Sequence, residues 1–147
     1  MIQMTEFTFQ TKIHATSQDI WEMYADLNKR YQWETDLEYI KLNGDFSTGT
    51  SGTMKLQDRP EMPYTLTSVI PYKEYWDRTE IPDTGLAICF GHEFNQINNS
   101  TLVKVSVKLE KSTGEIMEDD ILFLAQVFSD TPQSILAIKK IVEKVYV

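Results

Sequence analysis

The spacing of apolar residues changes once along this chain, and that change constrains the fold more than any other feature. From Leu37 to Glu110, short runs of alternating apolar and polar residues are separated by turn residues at intervals of roughly 8–12 residues. After Gly114, apolar residues recur at the spacing of one face of a helix. Consecutive strands followed by a helix predict an α+β fold whose strands form an antiparallel meander.

The alternating segments predict seven strands. In residues 5–14, Phe7, Phe9 and Ile13 lie on one side of the alternation and polar residues on the other, as in a strand with one buried face. The six further predicted strands are 37–43, 51–57, 64–70, 73–80, 86–96 and 101–110.

Two short elements are predicted between the first strand and the second. Ser17 is the expected N-cap of a helix over about 18–26, in which apolar residues recur three and four positions apart. Residues 27–36 mix aromatic and charged side chains, which suits either a second short helix or an ordered loop.

The C-terminal apolar stripe predicts a long helix. Acidic residues crowd its start and lysines crowd its end, an arrangement that opposes the helix macrodipole. Pro132 interrupts the helical hydrogen bonds, so we expect a kink or a restart near 129–132, with Asp130 in position to cap the second part. The stripe consists of Ile121, Leu124, Phe128, Ile135, Ile138, Val142 and Val145.

Charge and cysteine content exclude several classes of protein. The 147 residues suit one globular domain, 1–147, and their net charge of −8 repels nucleic acids and anionic membranes. Cys89 is the single cysteine, so no intrachain disulfide forms. The longest apolar run, 121–125, is too short to span a bilayer. We therefore expect a cytoplasmic protein with no nucleic-acid partner and no membrane insertion.

Motifs for metal, cofactor or nucleophile chemistry are not apparent. Two histidines and one cysteine supply no set of metal ligands, and neither His-Glu-x-x-His nor Cys-x-x-Cys occurs. Residues 49–53 lack the last glycine of Gly-x-Ser-x-Gly and the lysine of a phosphate-binding loop. We expect no metal and no cofactor.

Four short segments carry cap, turn and core residues in a characteristic order. Residues 13–21 (IHATSQDIW) resemble the pattern I-x-A-P/S-x-x-x-V-W, and residues 26–33 resemble a segment that runs from Asp to Trp. Residues 44–52 fit G-x-x-x-x-G-x-x-G, and residues 100–103 resemble G-T-x-V. With the order of the predicted elements, they resemble the START-like or Bet v 1-like (SRPBCC) superfamily, which includes the polyketide cyclase/dehydrase-like family.

The resemblance implies a helix-grip fold, in which a seven-stranded curved antiparallel sheet wraps around a long C-terminal helix. Two short helices follow strand 1 in this fold. An elongated, mostly apolar cavity lies between sheet and helix, and in many relatives it holds a lipid, polyketide, sterol or hormone. One helix cannot fill a strongly curved sheet, so an apolar lining with a few polar groups is also the physical expectation.

The strand 86–96 places a histidine among apolar side chains. Leu86, Ile88, Phe90, His92 and Phe94 share one face, because strand side chains alternate. If that face is concave, His92 is the candidate catalytic group, able to orient a ligand or to move a proton near neutral pH. The alternative is a core histidine that bonds a neighbouring strand or a tyrosine hydroxyl.

Other candidate site residues are aromatic, apolar or acidic. Trp and Tyr side chains in or beside strands combine an apolar ring with a polar tip, and Leu124 and Phe128 face the sheet in this fold. Glu34, Asp36 and Glu38 alternate near the expected cavity entrance, either as interacting acids or as a solvated rim. The predicted ligand-binding residues are Trp33, Tyr64, Trp76, Phe90, His92, Phe94, Leu124 and Phe128.

Three functions fit this sequence. The first is binding or carrying a hydrophobic small molecule, such as a lipid or polyketide, in the cavity. The second is a cofactor-independent enzyme resembling the polyketide cyclases, with His92 or a rim acid such as Asp36 as general base. The third is a protein-interaction or co-chaperone-like module that contacts a protein partner or a second copy of itself.

Overall fold

The computed structural model describes residues 3–143, in which seven strands form one antiparallel sheet. Its elements in chain order are β1 (Gln3–Ile13), α1 (Ser17–Ala25), α2 (Leu27–Arg30), β2 (Leu37–Leu42), β3 (Ser51–Leu56), β4 (Met62–Ile70), β5 (Glu74–Ile81), β6 (Leu86–Ile97), β7 (Ser100–Lys111), α3 (Glu118–Phe128) and α4 (Thr131–Glu143). The sheet order is β1-β7-β6-β5-β4-β3-β2. Strands β2 to β7 are therefore a meander, and β1 pairs with the last strand, β7.

The predicted α+β helix-grip fold is confirmed. Each predicted strand is present, and its ends lie within two residues of the predicted ones. In β1, side chains at odd-numbered positions are more buried than their neighbours, so the predicted alternation of a half-buried strand is also confirmed. The sheet is curved, and the helices lie on its concave side.

The N-cap of α1 is Thr16, and the prediction of Ser17 was wrong. The Thr16 hydroxyl accepts a hydrogen bond from the backbone N–H of Asp19 at 3.2 Å. Ser17 instead donates from both its backbone N–H and its hydroxyl to the Gln96 side-chain oxygen, at 2.9 and 3.0 Å. These bonds attach the start of α1 to the end of β6.

Residues 27–36 contain both a short helix and an ordered loop, the two structures that the sequence left open. Helix α2 is a single turn whose N-cap is Asp26, and an ordered loop follows it. In that loop, the backbone N–H groups of Trp33 and Glu34 donate to the Arg30 carbonyl, at 3.2 and 2.8 Å. The loop is thereby held against the end of α2.

The long C-terminal helix restarts where the sequence predicts. Helix α3 ends at Phe128 and α4 begins at Thr131, and the Asp130 carbonyl accepts a hydrogen bond from the Ser134 N–H at 3.2 Å. The buried residues of these two helices all belong to the predicted stripe; they are Leu124, Ile135, Ile138 and Val142. Val145 lies outside the described residues.

The stretch Glu118–Glu143 is long and apolar enough, by length and composition, to cross a membrane. It is broken between α3 and α4, and its buried residues belong to the clusters that pack on the sheet. The buried side chains of this stretch are therefore part of the hydrophobic core of the fold.

Trp76 lies on the convex side of the sheet, so the prediction that it lines the cavity was wrong. It lies opposite Gly91 in the pairing of β5 with β6, and a Cβ atom at position 91 would be 2.3 Å from the indole ring. The Lys108 ammonium group lies 5.2 Å from the centre of the same ring. The glycine thus provides the space that the indole occupies.

We expect Gly91→Ala to lower the free energy of unfolding by about 1–3 kcal/mol, because the added methyl group would overlap the Trp76 ring. Urea denaturation measures this cost. In a Trp76→Ala background the same substitution should cost less, since the overlap is gone. Equal costs in the two backgrounds would contradict the assigned contact.

Candidate functional site

A cavity of about 310 Å³ lies between the concave face of the sheet and the C-terminal helices. Side chains of α1, α2, every strand from β2 to β7, α3 and α4 contribute to its wall. Most of the wall is apolar, and its apolar residues include Ile40, Met54, Leu56, Phe90, Val105 and Val127.

Four polar side chains of this wall form a group that we call the buried polar cluster: Arg30, Glu34, Asp77 and His92. The charge of Arg30 acts on Glu34, Asp77 and His92 alike, so the four lie close enough to interact electrostatically. The pairing of β5 with β6 positions two of them. Tyr75 lies opposite His92 and Asp77 lies opposite Phe90, so alternate residues of both strands face the cavity.

An ion pair joins Arg30 and Glu34 inside the cluster. The Arg30 Nη2 atom is 2.8 Å from Glu34 Oε1, and the two side chains are 10% and 15% exposed. Burial is the largest single effect and lowers the pKa of Arg30, but the charges of Glu34, Tyr75 and Asp77 and the hydrogen bond to Glu34 together raise it above its ordinary value, so the guanidinium remains charged. It also lies 5.4 Å from the centre of the Trp33 ring, which adds a cation–π contact.

His92 is a neutral, stacked imidazole. Its ring lies 4.2 Å from the Tyr75 ring with 12° between their planes, and its Nε2 atom is 3.4 Å from the Tyr75 hydroxyl. Burial, and then the charge of Arg30, lower the pKa of His92 to about 3. A group with this pKa is a poor general base near neutral pH. Its environment matches the alternative prediction of a histidine beside a tyrosine hydroxyl.

Asp77 is a residue that the sequence analysis did not single out. Burial in the cavity wall raises the pKa of its carboxyl to about 7, against a lowering by Arg30 and by a hydrogen bond from the Phe90 backbone. The carboxyl group is therefore present in both protonation states near neutral pH. The register of β5 against β6 would have identified it, since its partner Phe90 was already predicted to face inward.

Tyrosine hydroxyls surround this cluster as protonated donors. Burial raises the pKa of Tyr64 to about 12, and it raises the pKa of Tyr24 and of Tyr75 further. The Tyr64 hydroxyl donates to the Lys41 carbonyl at 3.2 Å. The Tyr24 ring lies 4.5 Å from the His92 ring, which fixes one side of the imidazole.

Half of the predicted ligand-binding residues line the cavity, namely Trp33, Tyr64, Phe90 and His92. Phe94 packs instead on Trp21 in the core, at 5.9 Å between ring centres. Leu124 is fully buried in a second core cluster, and Phe128 packs beside it with its ring 5.7 Å from that of Phe7. Trp76 lies on the convex side, as described above.

The three predicted rim acids have separate environments. Glu34 belongs to the buried polar cluster, and Asp36 is an exposed part of the wall. Glu38 lies outside the wall and pairs with Lys55 at 2.7 Å. Asp36, Arg59 and Asp130 are exposed members of the wall and mark where the cavity meets solvent.

Within residues 3–143, no group of three or more His, Cys, Asp or Glu side chains is arranged to hold a metal ion.

The protein is similar to several solved structures over almost its whole length. Ara h 8.0201 matches with a TM-score of 0.75 at 11% identity, over 96% of this chain and 99% of the other. Norcoclaurine synthase from Thalictrum flavum matches with a TM-score of 0.71 at 15% identity, over 95% and 93%. The Aha1 dimer from Colwellia psychrerythraea matches with a TM-score of 0.68 at 15% identity, over 95% and 96%.

These similarities show that the chain has a Bet v 1-like, or SRPBCC-like, fold, as the sequence predicts. Proteins with this fold include ligand-binding proteins and some cyclases. No family profile matches the sequence, and no curated protein sequence matches it.

We expect Glu34→Met to destabilise the protein by about 3–5 kcal/mol, because it leaves the Arg30 charge buried without a partner. The double variant Arg30→Met, Glu34→Met removes both charges and should be more stable than the single Glu34 variant. Thermal and urea denaturation test this order. A double variant less stable than Glu34→Met would contradict it.

We expect the stability of Asp77→Asn, relative to wild type, to increase with pH. The folded carboxyl has a pKa of about 7 and the ordinary value is 3.8, so between these values the folded state holds a proton that the unfolded state has released. Wild-type stability from Asp77 is therefore present at low pH and is lost as pH rises through about 7, whereas asparagine does not ionise.

Urea denaturation of both proteins at about pH 5 and about pH 8 measures this difference, and groups common to both proteins cancel. A difference between the two proteins that is the same at both pH values would show that Asp77 ionises normally.

Proposed function

We propose that the cavity binds a small molecule with an apolar body and a polar group that takes both donor and acceptor roles. One observation carries this proposal: three buried polar atoms without a hydrogen-bond partner belong to side chains of the same, mostly apolar wall. They are Arg30 Nε, Glu34 Oε2 and His92 Nδ1.

Unpaired buried polar atoms are costly in a protein that is selected for stability alone. Each one costs about 1–3 kcal/mol, because the atom loses its hydrogen bonds to water and gains none in the fold. Arg30 Nε is a donor, Glu34 Oε2 is an acceptor, and His92 Nδ1 takes either role according to its tautomer. A ligand group that pairs with these atoms would recover the cost on binding.

The size of the cavity limits the ligand. A volume of about 310 Å³ is at the lower end of the range for small-molecule sites, about 300–1,000 Å³. A molecule of one to three rings, or a short chain, fits this space better than a lipid with two long chains. Phe90, Val105 and Val127 would pack against its apolar part.

Other proteins of this fold support the proposal by analogy. One structure of norcoclaurine synthase was solved in complex with dopamine and hydroxybenzaldehyde, so in that protein the fold holds small aromatic molecules. It shares 15% identity with this chain. The analogy concerns the kind of ligand that such a fold can hold.

Contact with another protein is a second candidate function, and one observation favours it. Helix α3 exposes large apolar side chains, with Ile121, Leu122 and Phe123 being 40%, 59% and 38% exposed. The two functions predict different features, since a protein-interaction module needs an exposed apolar patch but no internal cavity. The cavity with its buried polar cluster favours the small-molecule function.

We expect Val127→Trp to weaken binding of the dye 1-anilinonaphthalene-8-sulfonate, which has an apolar ring system and one anionic group, by at least about 10-fold, or about 1.4 kcal/mol, because the larger side chain would fill the cavity. Dye fluorescence during titration measures this. Leu122→Trp is the matched control, since Leu122 is on the same helix but is exposed and outside the wall.

Equal dye binding by both variants would show that the dye does not occupy the cavity. Native mass spectrometry of gently purified protein, followed by organic extraction, then identifies any ligand retained from cells. A clean mass of 17.1 kDa together with no displaceable dye would contradict the proposed function.

A further inference from the structure

The ion pair of the buried polar cluster forms only one of the two hydrogen bonds available to its groups. A guanidinium and a carboxylate often join through two parallel N–H···O bonds. Here Arg30 Nη2 bonds Glu34 Oε1 at 2.8 Å, whereas Arg30 Nε and Glu34 Oε2 are buried and have no partner within residues 3–143. The pair therefore has one free donor and one free acceptor.

These two free atoms lie close to each other. Nη2 and Nε of Arg30 are bonded to the same carbon atom, and so are Oε1 and Oε2 of Glu34. The free donor and the free acceptor therefore flank a single hydrogen bond. Both side chains line the cavity, where they are 10% and 15% exposed. One ligand group that has an acceptor beside a donor can pair with both atoms.

The surrounding structure holds the ion pair in this arrangement. The Glu34 N–H donates to the Arg30 carbonyl at 2.8 Å, and the guanidinium lies 5.4 Å from the centre of the Trp33 ring. The positions of the two side chains are thus set by the end of α2 and the loop after it as well as by the ion pair itself. A site that is ordered before binding loses less free energy on binding than a flexible one.

His92 adds a third free polar atom, Nδ1, to the same wall. Its other ring nitrogen, Nε2, is 3.4 Å from the Tyr75 hydroxyl, and the tautomer decides which of these two atoms donates. Nδ1 is therefore an acceptor in one tautomer and a donor in the other. A ligand group that serves both tautomers needs a spare donor and a spare acceptor.

The charges around these atoms favour an uncharged ligand group. Arg30 and Glu34 carry opposite charges, so Glu34 would repel an anionic group and Arg30 would repel a cationic one. Asp77 lines the same wall and interacts with Arg30, so its ionised form adds to the repulsion of an anion. Burial of a charged group also costs free energy unless that group is fully paired.

We propose that the cavity selects ligands with an uncharged carboxamide group, and that Arg30 and Glu34 together recognise this group. The carboxamide oxygen accepts a hydrogen bond from Arg30 Nε, and one carboxamide N–H donates to Glu34 Oε2. The oxygen has a second lone pair and the nitrogen a second N–H, so one of them pairs with His92 Nδ1 in either tautomer. This inference rests on the proposed function, because the apolar body of the ligand must occupy the cavity.

Other common polar groups match the three free atoms less well. A ketone has no donor for Glu34 Oε2, and a carboxylic acid is ionised near neutral pH. A hydroxyl group has a single oxygen atom for three partners. The carboxamide spreads its donors and its acceptor over two neighbouring atoms, as the free atoms of the ion pair require.

The test compares four naphthalenes that differ only in the polar group: 2-naphthamide, methyl 2-naphthyl ketone, 2-naphthoate and 2-naphthol. Isothermal titration calorimetry with the full chain measures each dissociation constant. Wild-type protein should bind 2-naphthamide at least about 10-fold tighter than each of the other three, because they leave at least one buried atom without a good partner.

Glu34→Gln changes the free acceptor into a donor, because the glutamine oxygen bonds Arg30 and its NH2 group takes the place of Oε2. It also leaves the positive charge of Arg30 unbalanced. We expect this variant to bind 2-naphthamide at least about 10-fold weaker than wild type, and 2-naphthoate at least about 10-fold tighter. A merely structural role of Glu34 would weaken all four ligands alike.

The double variant Arg30→Met, Glu34→Met removes both charges, so it also tests recognition if Glu34→Gln does not fold. It should bind 2-naphthamide and methyl 2-naphthyl ketone with equal affinity, because neither ligand then has a partner from the ion pair. Glu38→Gln is the matched control. Glu38 pairs with Lys55 outside the wall, so this variant should keep the wild-type preference.

Failure of this inference differs from failure of the proposed function. If neither 1-anilinonaphthalene-8-sulfonate nor any of the naphthalenes binds, the proposed function fails and the inference fails with it. If the naphthalenes bind and wild-type protein does not prefer 2-naphthamide, the choice of a carboxamide is overturned, and ordered water is the better partner for the free atoms. If the double variant keeps the wild-type preference, recognition by Arg30 and Glu34 is overturned.

Discussion

The pairing of β5 with β6 determines what the cavity contains. Tyr75 lies opposite His92 and Asp77 opposite Phe90, so both strands direct these residues to the concave side. Side chains alternate along a strand, and a shift of one residue would move the polar groups to the convex side. The Trp76 ring, which occupies the space left by Gly91, opposes such a shift because any larger residue in that place would overlap it.

The buried polar cluster depends on this register and also on the short helices. Arg30 and Glu34 come from α2 and the loop after it, whereas Asp77 and His92 come from the sheet. A fold selected for stability alone could replace such a group by apolar side chains at little or no cost. Its convergence in one wall, with several atoms unpaired, is better explained by a bound molecule than by structure.

The sequence predicts the elements of this fold well, because caps, turns and hydrophobic periods act over a few residues. The strands, the restart after Asp130 and the inward face of His92 all follow from such local patterns. Asp77 was not identified and Trp76 was assigned to the wrong face for one reason. Which of two neighbours on β5 faces inward depends on pairing between strands, and periodicity in one strand does not contain that information. Gly91 was the available signal, since a glycine inside a strand often marks the close approach of another group. Arg30 was missed because its sequence neighbours are mostly polar, so that its burial arises only when α2 packs on the cavity.

Helices α3 and α4 and the break between them contribute polar side chains to the wall of the cavity. Gln126, Asp130 and Ser134 line the cavity from this side, and none of them belongs to the hydrophobic clusters that hold the helices on the sheet. On these two helices, the polar positions that line the cavity thus differ from the apolar positions that hold the helices on the sheet. Changes at these three positions would alter the polar lining of the cavity and leave the apolar contacts between helices and sheet in place, so a lineage of such proteins could vary the cavity while keeping one scaffold.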